Sequence, residues 1–377
     1  MKLSIRIIIL ILAYGCAQQT QQFPLVKSEL EQSNQEEIQE PETPPIVALK
    51  PILIEAELIT RISIIKVFEG DQLKRNHLKK GIPALSPPQL HVWSSGIIKR
   101  PNQTILDLEI QGPLPNDITT DFENGNKIFY WNLTNQLGNQ DNIVIRRKLT
   151  IESAELVAII DEENIGEYDK TENLFLLYTK SEPFIELTPE IYFKAREIIA
   201  EENNPYRKAR LIFQWVNKNM KFRFPKTGRG AKIALKKLYG DSGQYSDLFV
   251  ALCRASKIPA RMVAGFRLDE NDKLKNHLWA EFYLPGYEWI PADPTQGMAG
   301  FTRMENRRFI ASVGRNIRLK ESPHWATFQN SEVQDSRTGF MLRATYAFCG
   351  LKLNFKTSIK TISVRELQKE FSTNKKE

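Results

Sequence analysis

The sequence predicts an α+β protein, with a β-rich N-terminal region followed by a region that contains helices and a strand hairpin. Between about residues 52 and 179, short apolar runs alternate with polar residues and are separated by glycine, asparagine and proline clusters, as where Leu106, Leu108 and Ile110 alternate with acidic residues. From residue 188 onward, apolar residues recur at helical spacing. Strands followed by helices, rather than strands alternating with helices, are typical of the α+β class.

The N-terminus has the pattern of an export signal. Lys2 and Arg6 precede an apolar run over residues 7–13, which is shorter than the roughly 20 residues that span a bilayer. The run ends at Gly15-Cys16 in a sequence that resembles a bacterial lipobox. We therefore expect a signal peptide at residues 1–15, lipidation of Cys16 and a lipid anchor in the bacterial cell envelope, facing the periplasm or the surface. Plain secretion and a chance apolar N-terminus are the alternatives.

Three further segments complete the predicted organisation. Residues 16–49 are rich in Gln, Glu, Pro and Ser, which cannot bury a core, so they predict a flexible tether behind the lipidated cysteine. Residues 50–182 form the β-rich region, and their turn-separated short strands favour a β-sandwich-like domain. Within it, the apolar face that includes Ile145 and Leu149 is interrupted by Arg147.

The C-terminal half divides at about residue 320. Residues 183–320 begin with two helix-start signals, Thr188-Pro189 and Asn204-Pro205. Residues 321–377 form an extension, in which alternation on both sides of Cys349-Gly350 predicts a β-hairpin and Ser363 with Glu366 predicts the start of a last helix.

The segment from Gly240 to Thr295 carries the candidate chemistry. Ser242 and Gly243 stand before a helical apolar face, and Pro259 ends that helix. A strand then starts near Arg261, and alternating residues from His277 lead to a turn at Pro285-Gly286. A tight turn there brings His277 to within about one residue of direct opposition to Asp293, at a spacing of roughly 5 Å.

Four motifs in this segment resemble the transglutaminase-like superfamily, a branch of the papain-like cysteine-enzyme fold. They are Gly240-Asp241-Ser242-Gly243-Gln244-Tyr245, Ile258-Pro259-Ala260-Arg261, His277-Leu278-Trp279-Ala280-Glu281 and Trp289-Ile290-Pro291-Ala292-Asp293-Pro294-Thr295. The resemblance covers about residues 185–320 and implies a papain-like transglutaminase core domain. In the family, the first motif carries the nucleophilic cysteine, the third the histidine and the fourth the acid. Ser242 therefore stands where the family has its cysteine.

The resemblance implies a site made of Ser242, His277 and Asp293. Asp293 would orient His277, and Gly243 fits a place beside an oxyanion because it has no side chain to block a substrate. Trp279 is either a wall of the cleft or a core residue. Structural alternatives also exist, because Ser242 would serve as a helix N-cap and His277 with Asp293 as a hydrogen-bonded pair.

Two functions follow from the serine. The first is a catalytically silent member of the family that binds a peptide, peptidoglycan or protein partner. The second is an active Ser-His-Asp hydrolase or acyl transferase that acts on amide bonds. We expect no cofactor and no metal, since His277 and Glu281 lack a third ligand in the sequence. The net charge of +7 comes without a basic, aromatic-interleaved run, so we expect no nucleic-acid partner. Cys253 fits a small buried hydrophobe on the apolar face of the predicted helix.

Overall fold

The computed structural model describes residues 5–6, 46–78, 86–138, 141–225, 227–323 and 337–367. The predicted signal peptide, Cys16 and most of the tether lie outside these residues, apart from the two-residue strand β1 (Ile5–Arg6). Residues 46–49, which we assigned to the tether, instead belong to the first long strand, which begins directly after Pro44-Pro45. In the described part of the chain, no helix combines the length and apolar character that crossing a membrane requires.

The β-rich region and strands from the C-terminal extension together form a sandwich of two antiparallel sheets. The larger sheet has the order β1 (Ile5–Arg6), β4 (Gln103–Gln111), β7 (Asn142–Ala158), β2 (Ile46–Val67) and β18 (Leu351–Glu366), with β13 (Arg303–Met304) paired to β7. The smaller sheet has the order β17 (Ala344–Cys349), β3 (Gln89–Ser95), β6 (Lys127–Asn132) and β5 (Asp117–Thr120). Buried residues of both sheets share one core, to which Ile54, Ile151, Val92 and Trp131 contribute.

The remaining elements are the helices, a third sheet and two small strand pairs. The helices are α1 (Gly70–Leu78), α2 (Asn173–Tyr178), α3 (Pro189–Ile199), α4 (Pro205–Asn219), α5 (Ala231–Lys237) and α6 (Ser242–Ala255), with 3-10 helices at Thr134–Gln136 and Pro294–Gly300. The third sheet is antiparallel, in the order β12 (Glu288–Ala292), β11 (Leu274–Leu284), β10 (Ala260–Leu268) and β14 (Arg308–Val313). Two small pairs are β8 (Lys221–Phe222) with β9 (Tyr239–Gly240), and β15 (Ile317–Arg318) with β16 (Arg337–Thr338).

Helix α6 is the centre of the second core. It packs against α3, α4, α5, β10 and β11, and every residue from Ser242 to Arg254 is buried. Helices α3 and α4 begin where the sequence predicts, because Thr188 accepts a hydrogen bond from the Ile191 N–H and Asn204 accepts two from the first turn of α4. Those caps fix where the two helices meet α6.

The C-terminal extension differs from the prediction. Strands β17 and β18 flank Gly350, but they do not form a hairpin, because β17 pairs with β3 and β18 pairs with β2, in different sheets. The last helix is also wrong, since Ser363 and Glu366 lie within β18. There the Ser363 hydroxyl donates to Glu55 Oε2 at 2.6 Å. The long strand β2 offers a partner along its whole length, and this pairing outweighs a local capping signal.

Two side chains in the larger sheet also depart from their predicted places. Arg147 does not break its apolar face but is buried in it, where it donates to the Ser95 carbonyl and the Ser94 hydroxyl. Burial lowers the pKa of Arg147 to about 10. Leu106 is exposed although Leu108 is buried, because a bulge between Ile105 and Asp107 shifts the alternation by one residue.

A buried ion pair joins the sandwich to the third sheet. Glu281 on β11 accepts hydrogen bonds from Arg100, which precedes β4, at 2.7 and 2.9 Å, and from Arg261 on β10 at 2.8 Å. The Arg261 guanidinium also lies 3.7 Å from the centre of the Trp289 ring. Burial alone would raise the pKa of Glu281, but the two arginines outweigh it and the pKa is lowered. Glu281 is therefore ionised, and its carboxylate links the sandwich to the third sheet.

We predict that Glu281→Gln destabilises the protein by about 3–5 kcal/mol, because it leaves the buried Arg261 and the partly buried Arg100 without their carboxylate. Urea unfolding at pH 7 measures the change. Glu288→Gln, at an exposed position of the same hairpin, is the matched control. Equal unfolding free energies for the two variants would contradict the role assigned to Glu281.

Candidate active site

Ser242 is the first residue of α6, but it does not cap the helix. The N-cap is Asp241, whose Oδ1 accepts a hydrogen bond from the Gln244 N–H. Arg229 holds the Asp241 carboxylate through contacts of 3.1 and 2.9 Å. Because the cap is already supplied, the serine hydroxyl is left to face another element. Ser242 is 8% exposed, and its Oγ accepts from the Leu278 N–H at 3.3 Å.

The hairpin brings His277 and Asp293 into contact with a different register from the one predicted. Its turn is three residues long, Pro285-Gly286-Tyr287, and Ala280 pairs with Ala292, so Asp293 follows the end of β12 on a diagonal from His277. The side chains still meet, with His277 Nε2 donating to Asp293 Oδ2 at 2.6 Å. His277 and Asp293 are therefore diagonal neighbours across the hairpin and not a directly opposed pair.

Asp293 is a buried carboxylate that accepts four hydrogen bonds. Its Oδ1 accepts from the Thr295 N–H at 3.1 Å and the Thr295 hydroxyl at 2.6 Å. Its Oδ2 accepts from His277 and from Arg308 at 2.9 Å. Burial alone would raise the pKa of Asp293, but His277, Arg308 and Thr295 outweigh it and hold the pKa well below its ordinary value. Asp293 is therefore ionised and makes His277 Nε2 the protonated nitrogen.

Arg308 is a site residue that the sequence analysis missed. It lies on β14, beside β10, and its side chain is buried against Asp293 and Glu305. No motif marks it, and the adjacent Arg307 is an equally basic residue that instead binds Asp272. Only the pairing of β14 with β10 selects Arg308 for the site.

The other ring nitrogen of His277 is open. Within the described residues, Nδ1 makes no hydrogen bond. Trp279 stacks on the ring with centroids 6.0 Å apart and is fully buried at 0% exposure. The indole packs so tightly against Gly265 of β10 that a Cβ at that glycine would come within 2.6 Å of it. Trp279 thus lies in the core behind His277 and does not line the cleft.

A cavity of about 250 Å³ opens over Ser242 and His277. Its other lining residues are Phe222, Phe224, Arg229, Asp241, Asn276, Leu278, Arg315, Phe340 and Leu342. Gly243 does not line the cavity. It packs beside Leu278 and Asp241, which an added Cβ at this position would contact. The N–H groups of the first turn of α6, including that of Gly243, have no acceptor within the helix and can donate to an oxyanion.

A second buried ion pair, Asp247 with Arg315, supports this cavity. Arg315 donates to both carboxylate oxygens of Asp247 at 2.9 and 2.5 Å, and it also lies over the Phe184 ring at 4.5 Å. Burial raises the pKa of Asp247 to about 6 despite Arg315. The pair fixes Arg315 at the cavity wall and joins α6 to the turn after β14.

The other candidate groups lie elsewhere. Cys253 is fully buried in α6, and burial raises the pKa of its thiol. Glu281 faces its two arginines. Across the described ranges, no three His, Cys, Asp or Glu side chains cluster closely enough to hold a metal ion. The chemistry that this arrangement can perform is therefore proton transfer through His277 beside a hydroxyl, with donors at a helix N-terminus.

We predict a specific pH dependence from Asp293. Its folded-state pKa lies below the usual value near 3.8, so its stabilisation is complete above about pH 4 and is lost as the pH falls toward the folded value. The difference in unfolding free energy between the wild type and Asp293→Asn should shrink by about 2 kcal/mol between pH 6 and pH 2.5. Urea titrations at each pH measure it. The exposed Asp272→Asn is the control, and a pH-independent difference would contradict the assignment.

Comparisons with known proteins identify the family that the central part of the chain resembles. Residues 193–294 match the family model for the transglutaminase-like superfamily. The chain is 32% identical to an uncharacterised protein of Haemophilus influenzae, over 31% of this chain and 38% of that protein, so it spans well under half of that relative.

Two solved structures match this chain over much of its length. A candidate cysteine protease from Cytophaga hutchinsonii superposes with a TM-score of 0.57 at 14% identity, covering 87% of this chain and 94% of the other. The periplasmic domain of TgpA from Pseudomonas aeruginosa gives a TM-score of 0.34 at 18% identity, covering 64% of this chain and 88% of that domain. Residues 193–294 of this chain are therefore a core domain of the transglutaminase-like superfamily.

Proposed function

We propose that this chain is an envelope-tethered, transglutaminase-like protein whose cleft binds a peptide, peptidoglycan or protein partner without catalysing acyl transfer. The observation that carries the proposal is the hydrogen bonding of the Ser242 hydroxyl. Its Oγ accepts from the Leu278 N–H at 3.3 Å, and within the described residues it makes no hydrogen bond to His277. The hydroxyl is therefore tied to the backbone rather than to the base.

The chemistry of serine explains why this matters. At a helix N-terminus beside an imidazolium, a thiol loses its proton and is already a nucleophile before the substrate arrives. A hydroxyl does not ionise under the same influence, so it needs a base in direct contact during the attack. If Ser242 occupies the place of the family's cysteine, as the resemblance implies, the site keeps its cleft but lacks a ready nucleophile.

Features of the cleft and the N-terminus support the binding part of the proposal. Phe222 and Phe224 line the cavity yet are 58% and 73% exposed, which gives an apolar edge for a partner to cover. The Cytophaga structure bears the name of a cysteine protease, and a peptide is the ligand that such a cleft would accommodate. The basic, apolar and Gly15-Cys16 pattern at the N-terminus supports the lipid anchor.

One observation favours a second function, a Ser-His-Asp hydrolase or acyl transferase that acts on amide bonds. Asp293 orients His277 through Nε2 and leaves Nδ1 open beside the cavity. In this alternative, Nδ1 takes the proton of Ser242 as its oxygen attacks a carbonyl carbon, and returns it to the leaving nitrogen.

We predict that a fluorophosphonate probe forms no adduct on Ser242 in the full chain. The hydroxyl lacks the hydrogen bond to His277 that would activate it. Intact-mass and peptide mass spectrometry measure the labelling, with Ser242→Ala as the control. An adduct on Ser242 that disappears in the control would overturn the silent site and establish the serine enzyme.

We also predict that Ser242→Cys restores a reactive nucleophile. At pH 6, iodoacetamide should alkylate this thiol about tenfold faster than the thiol of the double variant Ser242→Cys/His277→Ala, because the histidine promotes the thiolate. Peptide mass spectrometry measures alkylation at position 242 separately from the three native cysteines, and the wild type gives the background at those. Equal rates for the single and double variants would show that His277 does not act on position 242.

A further inference from the structure

A second cavity adjoins the one over Ser242. It has a volume of about 320 Å³ and shares three lining residues with the first, Asn276, Phe340 and Leu342. Apart from Asn276, its walls come from residues 338–346 and from two positions of β18, Phe355 and Thr357. These residues lie beyond the 193–294 core, so the C-terminal extension builds a groove that continues from the active-site cavity.

Arg343 is a lining residue of this cavity without a carboxylate partner. Its guanidinium donates to the Thr357 carbonyl at 3.0 Å and to Asn276 Oδ1 at 2.8 Å, which are both neutral acceptors. Its Nε is buried and has no hydrogen-bond partner among the described residues. No carboxylate within the described ranges forms an ion pair with it. Burial also lowers the pKa of Arg343, as expected for a cation that lacks compensation.

The other arginines of the groove are neutralised. Arg229 pairs with Asp241, and Arg315 pairs with Asp247. The charge around Arg343 is instead reinforced, since the buried Arg147 donates to the Arg343 carbonyl at 3.3 Å and contacts only neutral acceptors. This end of the groove therefore carries positive charge that an anion would compensate.

The walls beside Arg343 are aromatic. Tyr346 and Phe355 stack with ring centroids 3.9 Å apart, and Phe340 lies at the junction of the two cavities. A guanidinium beside an apolar wall suits a carboxylate on a chain that also presents apolar groups. A peptide satisfies both requirements, since its backbone can follow the groove while one acidic group reaches the cation.

We propose that the second cavity is a subsite that binds a carboxylate of a peptide lying in the Ser242–His277 cleft, with Arg343 as its recognition residue. This inference rests on the proposed function of the cleft as a peptide-binding site. The carboxylate can belong to an acidic side chain or to a free C-terminus, and both present the same two oxygens to a guanidinium.

The test is competitive binding of synthetic octapeptide mixtures to the immobilised full chain, read out by mass spectrometry. The mixtures are randomised except at one central position, which is Glu in one set and Gln in the other, and each set is made with free and amidated C-termini. A charge-assisted hydrogen bond predicts enrichment of the carboxylate-bearing members by about tenfold. Enrichment confined to Glu identifies a side chain, and enrichment confined to free C-termini identifies a terminus.

Variants assign the preference to one residue. Arg343→Gln should abolish the enrichment, and Arg343→Lys, which keeps the charge, should retain part of it. Lys356→Gln is the matched control, because it removes the same charge from an exposed neighbour of Phe355 and should change nothing. Thermal unfolding of each variant establishes whether it is folded. If Arg343→Gln does not fold, the peptide preference of Arg343→Lys is compared with that of the wild type instead.

The outcomes separate this inference from the function on which it rests. Peptides that bind without any preference for a carboxylate, or a preference that survives Arg343→Gln, would overturn the subsite while leaving the peptide cleft standing. Absence of binding by every set would overturn both the subsite and the assignment of the cleft as a peptide-binding site. The reactivity of position 242 bears only on catalysis, since equilibrium binding needs no nucleophile.

Discussion

The hydrogen bonds to Asp293 are the interaction on which the site depends. One buried carboxylate receives His277 from β11, Arg308 from β14 and Thr295 from the 3-10 helix that follows it. Each donor belongs to a different element, so the geometry of His277 is fixed only when the third sheet is complete. The charge balance of the site is also set there, because the buried Arg308 offsets the negative charge of the Asp293 carboxylate.

Two other buried carboxylates also link separate elements of the fold. Glu281 connects β11 with Arg100 of the sandwich, and Asp247 connects α6 with Arg315. Burying such pairs carries a large desolvation penalty, which good geometry must offset. Their value lies in placement, because each pair forms only in one relative position of its two elements. The ion pairs thus hold α6, the hairpin and the sandwich in one arrangement.

The end of the chain completes both the sandwich and the groove. Strand β18 pairs with the edge of β2 that β7 does not occupy, and β17 extends the smaller sheet at β3. Residues 338–346 and two positions of β18, Phe355 and Thr357, form the wall that carries Arg343. A transglutaminase-like core is therefore combined here with a groove made by residues outside it, which is where recognition of a particular ligand would be encoded.

The sequence alone determined the local features: the helix starts at Thr188 and Asn204, the helix at Ser242, and the hairpin that carries His277 toward Asp293. These depend on capping groups, turn residues and periodicity, which act over a few positions. Tertiary structure decided the rest. It selected Arg308 over Arg307, buried Arg147, turned Leu106 outward at a bulge and drew Ser363 into a strand, because each outcome depends on a partner that lies far away along the chain.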